Sequence, residues 1–363
     1  MNKPTSPATF NPELAEKFSD RIAGMLNDSA IILMLSVGHR TGLFSTMAGL
    51  PPSTSAALAD AADLDERYVR EWLAALTTGG VIDYDADTRE FSLPAEHAAC
   101  LTPEGAFGNI AVYAQFIAMS GAVQDQIVER FKTGGGLSYE DYPHFHQIMS
   151  EDSAQTVVSQ LFDTVLPLAT GLIDRLERGI DVLDAGCGAG KALIAMAARF
   201  PNSRFVGYDL SQEAVAKGAR AAERAGVQNV RFAVQDLSGF DEVACYDLIT
   251  SFDAIHDQRD PQAVLASIYR ALRPGGVHLM QDVGGSANLE NNLTFPMAAF
   301  LYTVSSFHCM PVSLGQGGEG LGTMWGWETA ERMLKTAGFA SVTRSILPHD
   351  PMNVWFVSSR DAV

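Results

Sequence analysis

Residues 181–192 read "DVLDAGCGAGKA". A short apolar run rises to Asp184, then Gly186, Gly188 and Gly190 punctuate the chain, and Lys191 follows. A strand that feeds a glycine turn and then a helix is the usual way a fold brings backbone close to a nucleotide. A phosphate-binding loop needs Gly, four residues, then Gly-Lys-Ser/Thr. Here Ala185 occupies the first glycine position and Ala192 the hydroxyl position. A dinucleotide loop needs G-x-G-x-x-G, and the present spacing is one residue short. Two readings remain at this point: a G-x-G-x-G loop for a nucleoside without phosphates, namely S-adenosylmethionine, or a tight strand-to-helix turn and nothing more.

The flanking sequence discriminates between them. An alanine-rich helix over 193–200 is stopped by Pro201, and "RFVGYDLS" reads as a strand ending at Asp209. An acidic residue about 20 positions beyond a glycine loop is the expected ribose ligand of a Rossmann-like site. A helix over Gln212–Ala225 follows, with Gly226 at its end. "NVRFAVQDLS" predicts a third strand ending at Asp236-Leu237, "YDLITSFDAIHD" a fourth ending near Phe252-Asp253, and "RPGGVHLMQDV" a tight turn and a fifth. Strands alternating with helices predict an α/β fold, a Rossmann-like doubly wound sheet with ligands at the strands' carboxyl ends. Taken singly, Asp209 or Asp236 reads as a helix cap. Two of them in register behind the loop favour a ligand site.

This constellation resembles the class I S-adenosylmethionine-dependent methyltransferases over roughly 178–363, through "DAGCGAG", "GYDLS", "VQDLS", "YDLITSFD" and "LRPGGVHLMQD". The resemblance implies S-adenosyl-L-methionine as cofactor. It implies that Asp184 orders the loop and that Gly186, Cys187 and Gly188 lie along the methionine moiety. Asp209 then takes the ribose hydroxyls beside Leu210. Asp236 takes the adenine amino group, Leu237 packs by the ring, and Phe252 is a further cofactor-binding candidate.

Composition narrows the rest. The chain has 363 residues, enough for two domains. Acidic residues number 43 against 25 basic ones, which argues against nucleic acid or an anionic membrane as partner. The opening "MNKPTSPATFNPELAEK" lacks an apolar signal core. No continuous apolar run approaches the roughly 18 residues of a membrane span, and "AIILMLSVG" reads as a buried helix segment. Cys100, Cys187, Cys245 and Cys309 show neither metal nor disulfide spacing. The expectation is a reduced, cytoplasmic, metal-free protein.

The front of the chain predicts a helix-rich domain over 1–104. Leu14, Phe18, Ile22 and Met25 share a stripe at helical spacing. Beyond Pro51-Pro52 come a short helix, a second helix with Val69, Trp72, Leu73 and Leu76 on one face, and a hairpin turning at Ala86-Asp87-Thr88. Helix, helix, hairpin is a winged-helix pattern. Residues 51–100 carry ten acidic and three basic side chains, the wrong sign for a DNA reader, so the module reads as a dimerisation and lid domain of a homodimer. The layout is similar to winged-helix small-molecule O-methyltransferases, including bacterial ones whose substrates are mostly unassigned. Residues 105–177 read as a helical connector covering the cleft, and 178–363 as the cofactor-binding domain.

His256, just past the fourth strand, is the candidate general base, since histidine titrates near neutrality. The resemblance supports it: His256-Asp257 matches the family's His-Asp pair, although Gln258 replaces the tryptophan that follows. The alternative is a loop histidine beside Asp260, which caps the helix starting at Pro261. Tyr142, His146, His308, Met310 and Trp325 are weaker candidates for the substrate wall, and "LGQGGEGLGTMWG" for a flap. The function expected is methyl transfer to a small-molecule acceptor. The alternatives are an S-adenosylmethionine-sensing regulator, an N-, S- or C-directed transferase without a protein base, and a protein or RNA methyltransferase.

Overall fold

The computed structural model describes residues 10–362. They divide into two compact units, the first ending at Ala118 and the second beginning at Met119. The expected connector over 105–177 is therefore not a separate body. Its larger part belongs to the second unit.

The first unit begins with α1 (Pro12–Thr41), whose Asn11 cap accepts from the backbone N–H groups of Glu13 and Leu14, and whose end is Gly42 in the left-handed region. Next come α2 (Leu43–Ala48), α3 (Ser55–Ala62), α4 (Glu66–Thr78) and the hairpin β1 (Asp83–Asp85) and β2 (Glu90–Ser92), then α5 (Ala95–Leu101). The apolar face of α4 is buried as expected, and Trp72 Nε1 donates to the Met34 carbonyl at 2.8 Å. This is a winged helix. The stretch "AIILMLSVG" is not buried as expected. Only Ser36 and Gly38 are enclosed, and Leu33 and Val37 stand 46% and 45% exposed. Leu14, Phe18, Ile22 and Met25 are exposed as well. A 30-residue helix is about 45 Å long, more than this small core can cover. By length and average composition α1 is also apolar enough to cross a membrane, although no continuous apolar run reaches that length. A window average tolerates the few charges that break a continuous run.

Across the unit boundary runs α6 (Ala111–Thr133). The second unit continues with α7 (Phe145–Thr156) and α8 (Leu172–Arg178). Then alternate β3 (Asp181–Ala185), α9 (Lys191–Arg199), β4 (Arg204–Asp209), α10 (Gln212–Arg224), β5 (Val230–Val234), β6 (Tyr246–Phe252), α11 (Pro261–Ala271) and β7 (Leu272–Val283). Beyond them lie α12 (Ala298–Val304), α13 (Met310–Gly315), α14 (Trp327–Ala337) and the closing hairpin β8 (Ser341–Leu347) and β9 (Asp350–Ser359). The sheet order is β5-β4-β3-β6-β7-β9-β8, with β9 antiparallel to both neighbours. Strand order reverses between β3 and β6, so the crevice at their carboxyl ends is where a ligand can enter.

Buried side chains alternate across the sheet, which explains why β3 reads as a continuous apolar run. Leu183 joins a core with Ile249, Val264, Ile268 and Leu334. Val182 joins the opposite one with Leu193, Met196, Leu248 and Trp355. Each Leu→Ala change in such a layer costs about 2–5 kcal/mol, so the strands that carry the site are held firmly. One boundary differs from expectation. β5 stops at Val234, and Asp236 caps a one-turn helix by accepting from the Ser238 N–H at 2.8 Å.

Candidate active site

The cleft lies over the carboxyl ends of β3, β4 and β6. Asp184, Gly186, Cys187, Gly188, Asp209, Leu210, Asp236, Leu237 and Phe252 all line it. The N–H groups of Gly186 and Cys187 donate to the Tyr208 carbonyl at 2.8 and 3.0 Å, which ties the loop to β4. Gly188 N–H donates to Asp209 Oδ2, and Ser211 N–H to Asp209 Oδ1, each at 2.8 Å. Two of the four or so acceptor positions of this carboxylate are thereby used, and the remainder suit a pair of ribose hydroxyls. Gly186 has φ +82°, and a Cβ there would lie 2.5 Å from that of Ala254. Gly188 has φ +52° and meets nothing within 4 Å. Its bare backbone therefore faces open cleft, a cradle that a side chain would fill. These residues fit S-adenosylmethionine. Asp184 accepts from Thr250 Oγ1 at 2.7 Å, and burial raises its pKa to about 7.

A further wall of the cleft is built by the loop after β6. Asp253 takes a left-handed φ of +52°, a conformation that costs a non-glycine residue energy and occurs at functional sites. The turn that follows carries His256 inward. Its Nδ1 lies 2.8 Å from Asp282 Oδ1 at the end of β7, and its Nε2 lies 3.1 Å from Asp257 Oδ1. The second contact is not aligned as a hydrogen bond, and Asp257 Oδ1 makes none. Trp325 Nε1 and the Val283 N–H also donate to Asp282 Oδ1, at 2.9 and 2.8 Å. His256 is 1% exposed and is not among the cleft-lining residues, whereas Asp253 and Asp257 are. Burial alone would lower the pKa of His256, but Asp282 and Asp257 outweigh it and hold it well above the ordinary value. The expected titration near neutrality is thus shifted upward. Burial raises Asp257, but the imidazolium overcomes this and keeps its carboxyl low.

Asp260 also caps α11, accepting from the Ala263 N–H at 2.8 Å, as the alternative reading of this loop required. Both features coexist in one turn.

Of the five weaker candidates, His146 lines the cleft, its Nε2 3.1 Å from Ser211 Oγ. The other four do not line it. Trp325 is turned inward by its bond to Asp282. His308 is buried and stacked on Phe145 with centroids 4.0 Å apart, and Tyr142 packs on its edge at 4.6 Å. Met310 packs toward Gly322. The glycine-rich stretch is not an open flap. A Cβ on Gly326 would lie 2.0 Å from the Ala287 nitrogen, so its glycines permit close packing. In their place Tyr139, Phe145, Met149 and Gln316 form the roof. The Leu137 N–H donates to the Pro311 carbonyl at 2.9 Å, and a Cβ on Gly136 would overlap that oxygen, so the roof segment is pinned backbone to backbone on α13.

Residues 29–103 match the family described as the Rv2258c-like winged HTH domain, and residues 176–338 the family described as a methyltransferase domain. The trans-aconitate 2-methyltransferase of Deinococcus radiodurans is 37% identical over 106 residues, 28% of this chain and 36% of that protein. The match thus spans about a third of that relative's length. The human N-acetylserotonin methyltransferase, solved with S-adenosylmethionine, superposes with a TM-score of 0.67 at 14% identity, covering 98% of this chain and 100% of its own. An O-methyltransferase family protein from Burkholderia thailandensis gives 0.65 at 18% identity, covering 98% and 99%. Sheet order, glycine cradle and both family matches converge on one architecture: a winged helix-turn-helix domain followed by an S-adenosylmethionine-dependent methyltransferase domain of the class I fold.

Proposed function

We propose that this protein methylates a hydroxyl of a small-molecule acceptor, with His256 and Asp257 acting together on the acceptor's proton. The observation that carries this reading is the position of Asp257, which faces the cofactor cleft with His256 directly behind it. The bound sulfonium supplies an electrophilic methyl group and its own leaving group. The chain aligns the acceptor, excludes water and receives a proton. Nδ1 of His256 donates to Asp282, which fixes the ring. Nε2 lies 3.1 Å from Asp257, and the surrounding carboxylates hold a proton on the ring. Once that proton is lost, the pair can accept another from the acceptor hydroxyl as its oxygen bonds to the methyl carbon. A screen of phenols, alcohols, amines, thiols and acids with methyl-labelled cofactor tests this. Label transferred to oxygen supports it. Label found only on nitrogen, sulfur or carbon, with His256→Ala fully active, replaces it by base-free transfer.

The remaining assignments belong to the same reading. The exposed apolar stripe of α1 supports a homodimer formed through the first unit. Four free cysteines fit a cytoplasmic protein. The winged helix-turn-helix match keeps a second reading open, a regulator that senses the cofactor. The acidic surface over 51–100 opposes it. Specific nanomolar retardation of genomic DNA fragments at physiological salt decides for the regulator.

A further inference from the structure

The proposed acceptor side of the cleft has a marked chemical bias. Asp253 and Asp257 line it, and each has a buried Oδ1 without a hydrogen bond. Asp257 is 7% exposed. A third carboxylate, Asp152, lines the same wall. Among the described residues, no arginine lines the cleft, and its one lysine is Lys191. That lysine follows the glycine loop and donates to the Ser150 carbonyl at 2.9 Å. His146 is drawn toward its neutral form by burial. Beside the carboxylates stand the rings of Tyr139 and Phe145, with centroids 5.5 Å apart. An aromatic face next to an ionised carboxylate such as Asp257 attracts a cation. An anionic acceptor would desolvate its charge there, because the one nearby cation, the His256 imidazolium, is already engaged by Asp257 and Asp282.

We propose that the acceptor carries a basic nitrogen, an ammonium at neutral pH, alongside its nucleophilic atom, and that carboxylate and phosphate acceptors are excluded. The inference rests on the reading above, that this cleft takes the acceptor. The ammonium sits against the ionised Asp257 with its carbon skeleton on the Tyr139–Phe145 wall, and Asp257 carries the charge that sets specificity, since burial lifts the neighbouring Asp253 carboxyl to about 8.

The test uses the full chain saturated with S-adenosylhomocysteine, whose sulfur is uncharged, so that no preference can come from the sulfonium. Calorimetry or ligand-observed NMR then compares matched phenols: tyramine with an ammonium tail, 4-ethylphenol with none, and 4-hydroxyphenylacetate with a carboxylate. Tyramine is expected to bind at least tenfold more tightly than the carboxylate, with the neutral compound between them. Asp257→Asn should reduce the ratio to within about threefold. If that variant no longer binds S-adenosylhomocysteine, Asp253→Asn replaces it at pH 8.5, above the value of about 8 to which burial lifts that carboxyl, with the same direction expected. Equal or tighter binding of the carboxylate overturns the inference, as does absence of binding by all three, or a ratio that survives both substitutions. Failure of the wild-type chain to bind S-adenosylhomocysteine overturns the proposed function itself.

Discussion

The floor and the roof of this cleft are built by opposite strategies. The floor is local. Asp184, the glycine loop and Asp209 come from two adjacent parallel strands, and backbone hydrogen bonds place every one of them. The roof and the acceptor wall are assembled from afar. Tyr139 and Phe145, Asp253 to Asp257, Asp282, Cys309 and Trp325 come from five separate stretches of chain and meet through packing and long-range hydrogen bonds, such as those of Asp282 to His256 and Trp325. A floor of this kind can be shared by many enzymes, because it recognises one cofactor. A roof of this kind can diverge freely, because no backbone motif constrains it.

The largest expected effect falls on the acceptor wall. His256→Ala should slow methyl transfer by about 10²–10⁴-fold, the range for loss of a general base, while cofactor binding by calorimetry stays near wild type. The wild-type rate should rise with pH, because a base acts unprotonated. The inflection should lie above about 6.5, the ordinary histidine value, because Asp282 and Asp257 hold the proton on. An unchanged rate in the variant would remove His256 from the chemistry and leave the floor untouched.

On the floor, Asp209→Ala should weaken cofactor binding at least tenfold. A charge-assisted hydrogen bond contributes about 1.5–3 kcal/mol, and this carboxylate also anchors the Gly188 and Ser211 N–H groups. Circular dichroism should show the fold retained. Binding unaffected by the change would mean that the carboxylate serves the loop alone.

That contrast also explains what the sequence disclosed. The three glycines, Asp209 and Asp236 sit at fixed offsets within a strand–loop–helix repeat, so periodicity and spacing were enough to find them. The winged helix was legible for the same reason: α4 shows its Val69, Trp72, Leu73 and Leu76 face directly. Asp282 and Asp253 obey the same strand-end rule as Asp209, and that rule could have singled them out. Tyr139 and Phe145 carry no such signal, since they lie in an irregular segment whose position is set by Gly136 meeting Pro311. Trp325 was expected at the pocket wall on bulk alone. Its indole N–H needed a buried acceptor, and Asp282 supplies one. The exposure of α1 was hidden because an apolar stripe reads the same whether its partner lies within the chain or outside it.

A smaller effect tests how the wall tunes the proposed base. Asp282→Asn keeps the shape but removes the charge nearest Nδ1. His256 is faced by Asp282, Asp257 and Cys309 in addition to Asp253 at 3.8 Å, so loss of one carboxylate should lower its pKa without returning it to the ordinary value. The inflection of the rate profile should move toward acid by on the order of one pH unit, the low end of what an adjacent opposite charge produces. The plateau should fall as well, since the ring loses its orienting partner. An inflection that does not move would show that the profile reports another group.

The last expected effect is on stability rather than on activity or binding, and it belongs to the floor. Asp184 has a folded pKa of about 7 against an ordinary value of 3.8, chiefly because it is buried. A carboxyl whose pKa rises on folding favours the protonated fold. Its contribution is therefore best at low pH, declines as pH rises from about 4 to about 7, and is level above that. Each tenfold change in an ionisation constant corresponds to about 1.4 kcal/mol, so the decline amounts to a few kcal/mol. Asp181 and Asp257 have lowered values and act in the opposite sense. Their contribution is present above about 4 and is lost only as pH falls below that, so the two windows barely overlap. Asp184→Asn is neutral at every pH and can still accept from Thr250 Oγ1. Urea unfolding of the cofactor-free protein should show wild type losing stability relative to the variant between pH 4 and 7 and tracking it above 7. A constant difference across that interval would mean that Asp184 is ionised throughout, and that the floor of the cleft carries one more fixed negative charge than its burial implies.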